Sequence, residues 1–251
     1  ICKHAMMNSF GTNWHTRAGK AESFFAFRRP AFIFNHAEIN PFKKTGGSLE
    51  NIISSLKNAI MFAANNKESC QIALSSVTDL PSLPEKYDLI ITDPPYLDDV
   101  QYGEQSEFFY VWLYRCLKNY YSELPKDIPL DEDFCECLGR FGNKKLAADF
   151  FEAGFAKSLE SISKILKDDG LFVVFFAHSS ARAWNILIKS IVKAKFKVIS
   201  SYALFTEMAS SPLSYQKTSF MSSVVLACRK VTEDKVGFIE DIIPKTEDRI
   251  K

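Results

Sequence analysis

Residues Tyr87-Asp88-Leu89-Ile90-Ile91-Thr92 read as a buried β-strand that runs straight into Asp93-Pro94-Pro95-Tyr96. Two consecutive prolines fix φ, remove two backbone donors and drive Asp93 out of the helical region. The strand must therefore stop in a rigid, extended turn that holds the Asp93 carboxylate at the strand's carboxyl end. In an open α/β sheet that edge is where ligands sit, so Asp93, the carbonyl of Pro94 and the ring of Tyr96 form a preset constellation. Four-residue matches also arise by chance, and a plain proline turn closing a strand is the competing reading.

The surrounding pattern alternates strands and helices. "AFIFNHAEI" (31–39) is β-branched and aromatic and is ended by Asn40-Pro41. Ser48 is placed to cap a helix to about Asn65, with Leu49, Ile52, Ile53, Leu56 and Ile60 on one face. "CQIALSS" (70–76) reads as the next strand, before the one at 87–93. An aromatic helix follows, "SEFFYVWLYRCLKNYY", and then an irregular, acidic insertion over 122–146, expected on the surface or as a lid. A helix over about 147–167 carries Phe151, Phe155, Leu159, Ile162 and Leu166 in one stripe and stops at Asp168-Asp169-Gly170. A buried strand (171–180), an amphipathic helix (183–195) and strands 196–205 and 222–230, joined as a long hairpin, complete the pattern. The expected class is α/β, a mostly parallel sheet ending in an antiparallel hairpin. Residues 1–30 read as an N-terminal extension, 31–230 as the main domain and 231–251 as a charged, peripheral tail.

At 251 residues, with 47% hydrophobic and 24% charged residues, the chain is long enough for one large domain with a real core. The formal net charge of +1 excludes a strongly basic protein, so nucleic acid would have to be met by a local patch. Arg28-Arg29, Lys43-Lys44 and Lys144-Lys145 are the basic pairs available, and solvated surface is their ordinary role. Six cysteines with no CxxC pair and no signal peptide point to reduced thiols in the cytoplasm. Cys135-Glu136-Cys137 resembles half of a metal site, but no second Cys or His pair accompanies it, and no metal is expected. No apolar run reaches membrane-spanning length.

The strings "AEINPF" (37–42), "SSVTDLP" (75–81), "TDPPYLDDVQYGEQSEFFYVWL" (92–113), "FFAHSSARAWNILIKSIVKAKFKV" (175–198) and "SYALFTEMASS…SSVVLACRK" (201–230) carry a resemblance in order. Together they are similar to the C-terminal half of a family of large proteins classed as adenine-specific DNA methylases, often encoded beside anti-phage defence genes. The similarity covers about Arg17 to Lys230. It implies the Rossmann-like fold of methyltransferases that use S-adenosylmethionine, acting on DNA. One departure stands out: such enzymes carry a Gly-rich loop after the first strand, where the backbone approaches the cofactor closely. This chain has ten glycines and none in that pattern; Gly11 stands alone, and Gly46-Gly47 lies too late. The chain, which begins at Ile1 without a methionine, is therefore expected to lack the first strand and to be the C-terminal portion of a longer enzyme or one half of a split one, completed by an upstream half or partner subunit.

By resemblance, Asp93, Pro94, Pro95 and Tyr96 are the catalytic residues: the Asp93 carboxylate and Pro94 carbonyl accept the two hydrogens of an adenine amino group, and Tyr96 stacks on the flipped base. Ser76, Val77 and Asp79 are candidates for the cofactor's adenine, and Glu38 or Asn40 for its ribose. Tyr102, Ser106 and Phe109 are candidates for the base pocket, with an ordinary aromatic helix face as the alternative. His178, ending a buried strand on the same edge, reads as structural rather than catalytic. Two other functions stay open: methylation of a cytosine N4, an RNA base or a protein glutamine, where related motifs more often begin with Ser or Asn, and a non-catalytic module that binds DNA or a partner.

Overall fold

The computed structural model describes residues 13–15, 20–22, 25, 40, 42, 48–65, 68, 70–80, 85–98, 100–204 and 223–232. The expected strand at 31–39 with Glu38, the connection over 205–222 and most of the tail lie outside the described residues. In chain order the elements are β1 (Asn13–His15), β2 (Lys20–Glu22), α1 (Leu49–Ala64), β3 (Tyr87–Thr92), α2 (Tyr102–Leu117), α3 (Leu138–Phe141), α4 (Lys144–Ile165), β4 (Leu166–Phe176), α5 (Ala181–Lys193), β5 (Phe196–Leu204) and β6 (Ser223–Lys230). Short 3-10 turns lie at Val77–Asp79 and Leu130–Glu132.

The protein is mixed α/β, built on a four-stranded sheet of order β3-β4-β6-β5. Its sense differs from a mostly parallel sheet. β3 and β4 run parallel, with Ile90 opposite Phe172 and Thr92 opposite Val174, but β6 is antiparallel to both β4 and β5. The reason lies in the last connection: α5 carries the chain from β4 to β5, and β6 then returns between them. The expected hairpin is present as the β5–β6 pair. The expected strand at 70–76 is not: these residues have no regular structure, and Ile72 and Leu74 are 92% and 81% exposed. β-propensity expresses itself only against a neighbouring strand, and no described strand pairs with this segment.

One face of the sheet is covered. Phe172, Val174 and Phe176 of β4, Leu226 and Cys228 of β6 and Phe196 of β5 meet α4 and α5 in a single core. The stripe Phe151, Phe155, Leu159 and Ile162 is buried as its spacing requires, together with Ile186, Leu187 and Ile191 of α5. Each such side chain contributes about 1.5–3 kcal/mol by leaving water. α4 starts at Asn143, whose side chain accepts from the N–H groups of Lys145 and Leu146, and ends earlier than Asp168-Asp169-Gly170 would suggest. Those three residues instead lie within β4, where the β3–β4 register shifts between Tyr87 and Leu89. Gly170 is needed there for close approach, since a Cβ would stand 2.8 Å from the Leu166 side chain.

α1 begins at Ser48, whose hydroxyl accepts from the Asn51 N–H, and its apolar periodicity is as expected. Only Ile52 of that face is buried; Leu49, Ile53, Leu56 and Ile60 are exposed. No described helix is long and apolar enough to cross a membrane.

Candidate functional site

β3 and β4 deliver their carboxyl ends to the same edge, and Asp93–Tyr96 after β3 has no regular secondary structure, as two consecutive prolines require. Asp93 is exposed, while Pro94, Pro95 and Tyr96 are half-buried. The Tyr96 hydroxyl donates to Asp93 Oδ1. Its ring packs edge-on against Phe176 with centroids 5.4 Å apart, and Phe176 packs in turn against Trp184 at 5.0 Å. The turn is thus pinned to the core through an aromatic row rather than left as a loose loop.

Leu97 reverses the chain after Tyr96 and is the pivot that sequence reasoning missed. It adopts φ +56° with its side chain 5% exposed. A left-handed conformation costs a residue with a Cβ roughly 1–2 kcal/mol, and nothing about a leucine announces it. Two interactions hold it: the buried side chain and its carbonyl, which accepts the Glu136 N–H at 3.0 Å.

That second interaction comes from the segment expected as a surface insertion or lid. Its stretch from Asp133 to Cys137 is a buried strap. Asp133 Oδ2 accepts the Gly103 N–H at 3.0 Å and so caps α2 from thirty residues away, a cap that the Gln101 side chain does not provide. Phe134 lies on Gly154 of α4, where a Cβ would come within 2.1 Å of the ring. The Cys135 thiol donates to the Val100 carbonyl, and the Glu136 carboxylate pairs with Arg182 at the start of α5 at 2.8 Å. Arg140 closes the strap by donating to Glu104, Asp133 and the carbonyls of Leu130 and Asp133. Burial alone would raise the Glu104 carboxyl, but the Arg140 hydrogen bonds and charge outweigh it and hold the group below its usual range. The readable signals were Gly103 and Gly154, places where another part of the chain needs room.

Cys135 and Cys137 are therefore packing residues, and among the described residues no group of His, Cys, Asp or Glu is placed to hold a metal ion. Burial, followed by the neighbouring Asp133 charge, pushes the Cys135 thiol up to about 12, and burial pushes Cys228 up to about 11. Both stay protonated near neutrality, and a protonated thiol is a poor nucleophile. Alkylation of the native protein at about pH 8 should label exposed Cys70 and Cys116 and spare Cys135 and Cys228, as read by peptide mass mapping. Equal labelling of Cys135 and Cys116 would show that the strap is not packed as described.

The remaining candidates make contacts of their own. Ser76 caps the 3-10 turn, its hydroxyl bonded to the Thr78 N–H and side chain, and Val77 packs on the core. Asp79 is exposed, and its N–H donates to the Ser76 carbonyl. The Thr78 carbonyl accepts from Ser161 in the last turns of α4, which lead into β4 where Leu166 faces Tyr87. This ties the 3-10 turn to the carboxyl-terminal part of α4. Asn40 is exposed and accepts from the Phe42 N–H. Tyr102 and Ser106 are exposed on α2, and Phe109 packs with Phe25 and Phe108. No model of a known protein family matches the chain, and no curated protein does.

Proposed function

We propose that this chain is the catalytic portion of an S-adenosylmethionine-dependent methyltransferase that modifies the exocyclic N6 amino group of adenine in DNA. One observation carries the reading: an exposed carboxylate on a proline-stiffened turn at the carboxyl end of a parallel strand, beside a pinned aromatic ring. An adenine amino nitrogen is a poor nucleophile because its lone pair is delocalised into the ring. Two acceptors fixed in space, the Asp93 carboxylate and the Pro94 carbonyl, take hydrogen bonds from its two hydrogens and favour a more tetrahedral nitrogen with a localised lone pair. Asp93 serves as an acceptor. The Tyr96 hydroxyl, which bonds Asp93 Oδ1, gives way to the incoming amino group, and the ring supplies the surface against which a flipped base stacks. An aspartate rather than Ser or Asn at the first motif position favours adenine over the other amino acceptors.

The cofactor is less well served. Ser76 and Asn40 are engaged in short-range hydrogen bonds and Val77 in the core, and the chain has no Gly-rich loop in the pattern such a cofactor cradle uses. The residues described do not fit S-adenosylmethionine by themselves, and an upstream half or partner subunit is the proposed source of the missing surface. The same observation favours a second reading, a non-catalytic module that binds DNA or a partner. Isothermal titration of the 251-residue chain with S-adenosylmethionine separates the two. Micromolar affinity supports the enzyme acting on its own, whereas absence of binding means that another polypeptide must supply the cofactor site or that this chain only binds.

A further inference from the structure

We infer that His178 is a positioning residue for the Asp93–Tyr96 turn, holding it through Asp98 from the corner between β4 and α5. His178 lies two residues beyond the end of β4, with its side chain 13% exposed. Its Nδ1 accepts the Ser180 N–H at 2.9 Å. A backbone N–H can only donate, so in the neutral ring Nδ1 carries the lone pair and Nε2 carries the proton. Nε2 lies 3.5 Å from Asp98 Oδ1, an electrostatic contact at ion-pair distance. Asp98 directly follows the left-handed Leu97, so the imidazole reaches the outgoing limb of the turn just past its pivot.

The backbone of His178 is committed as well. Its carbonyl accepts the Trp184 indole N–H at 2.9 Å, and Trp184 packs on Phe176, which packs on Tyr96. The aromatic row fixes the Tyr96 end of the turn and the imidazole fixes the Asp98 end, both from the same β4–α5 corner. The strap holds the middle through the Leu97 carbonyl. A turn with a strained pivot needs such over-determination to keep one geometry, and His178 joins the two outer ties. No contact with a reacting atom is assigned to it; its effect passes through Asp98.

The consequences for transfer rest on the proposed methyltransferase activity, but the tie itself does not. The test uses the 251-residue chain in three variants. His178→Asn keeps an acceptor for the Ser180 N–H and cannot reach Asp98, His178→Gln offers an amide donor towards Asp98, and Asp98→Ala removes the partner. Hydrogen exchange at the Glu136 amide, which is bonded to Leu97, should quicken by about tenfold in His178→Asn and Asp98→Ala. It should quicken no further in the double variant, and should return most of the way in His178→Gln, with the urea midpoint unchanged throughout. Unchanged exchange, or effects that simply add, would overturn the tie. Where the chain transfers methyl groups to adenine-containing DNA, His178→Asn should lower kcat about tenfold and leave the KM for S-adenosylmethionine alone; a rise in KM with kcat intact would overturn the positioning role. A wild-type chain inactive even with a complete cofactor site would remove the methyltransferase reading and leave the exchange result standing by itself.

Discussion

Replacing Asp93 by alanine should abolish most methyl transfer, with kcat falling by about 10²–10³-fold, while affinity for S-adenosylmethionine and folding stability stay near wild type. The magnitude follows from the proposed role, in which the carboxylate is one of two fixed acceptors for the amino hydrogens and its bonds strengthen as the nitrogen becomes tetrahedral. Stability should change by no more than ~0.5 kcal/mol because the side chain is exposed and supports no packing. Asp93→Asn keeps an acceptor oxygen without the charge and should recover part of the loss. Tyr96→Phe removes the hydroxyl that bonds Asp93 but keeps the ring on Phe176, so it should cost far less than Tyr96→Ala. Transfer of tritiated methyl groups to adenine-containing DNA, with cofactor binding measured in parallel, reads all four variants. Equal loss of binding and transfer in Asp93→Ala would place Asp93 in the cofactor site and remove the acceptor role.

Several features of this fold were legible because local chemistry dictates them. Pro94 and Pro95 must end β3, Ser48 must cap α1, and the spacing of Phe151, Phe155, Leu159 and Ile162 must produce a buried helix face. Other features depended on partners distant in the chain, and a local pattern does not contain them. "CQIALSS" has strand composition but no strand beside it, so it stays irregular. Asp168-Asp169-Gly170 has the composition of a helix stop, yet the chain has already entered β4 by Leu166, and Gly170 answers a packing need instead. The site divides the same way. Asp93 to Tyr96 could be picked out by their stiffness alone. Leu97, Glu136 and the Asp98–His178 pair could not, because each acquires its role from a segment at least thirty residues away.

Most of 122–146 is on the surface as expected, but its inner stretch is anchored by Arg140, a cation whose side chain is 12% exposed between two carboxylates. Arg140→Ala should destabilise the protein by about 2–3 kcal/mol in urea unfolding. Removing one partner of a buried ion pair costs about 3–5 kcal/mol, and the lower figure allows for Glu104, whose side chain is 37% open to water. Lysine places a point charge where a planar fork had bonded four oxygen-bearing groups, so Arg140→Lys should recover less than half. The effect must also depend on pH with a definite sign. Glu104 is held below its ordinary value of 4.5 in the folded state, so the folded protein binds fewer protons than the unfolded chain around that pH. The stabilisation is then complete above the unfolded value and fades as pH falls through the folded one. The gap between wild type and Arg140→Ala should accordingly narrow as pH falls below the ordinary Glu104 value of 4.5. A core truncation such as Phe155→Ala, costing about 3–5 kcal/mol, has no reason to do so, since its cost comes from lost packing and a cavity rather than from a charge. A gap that stays constant into acid would mean that Arg140 contributes packing alone, and that Leu97 and the Asp93 turn are held without its charge.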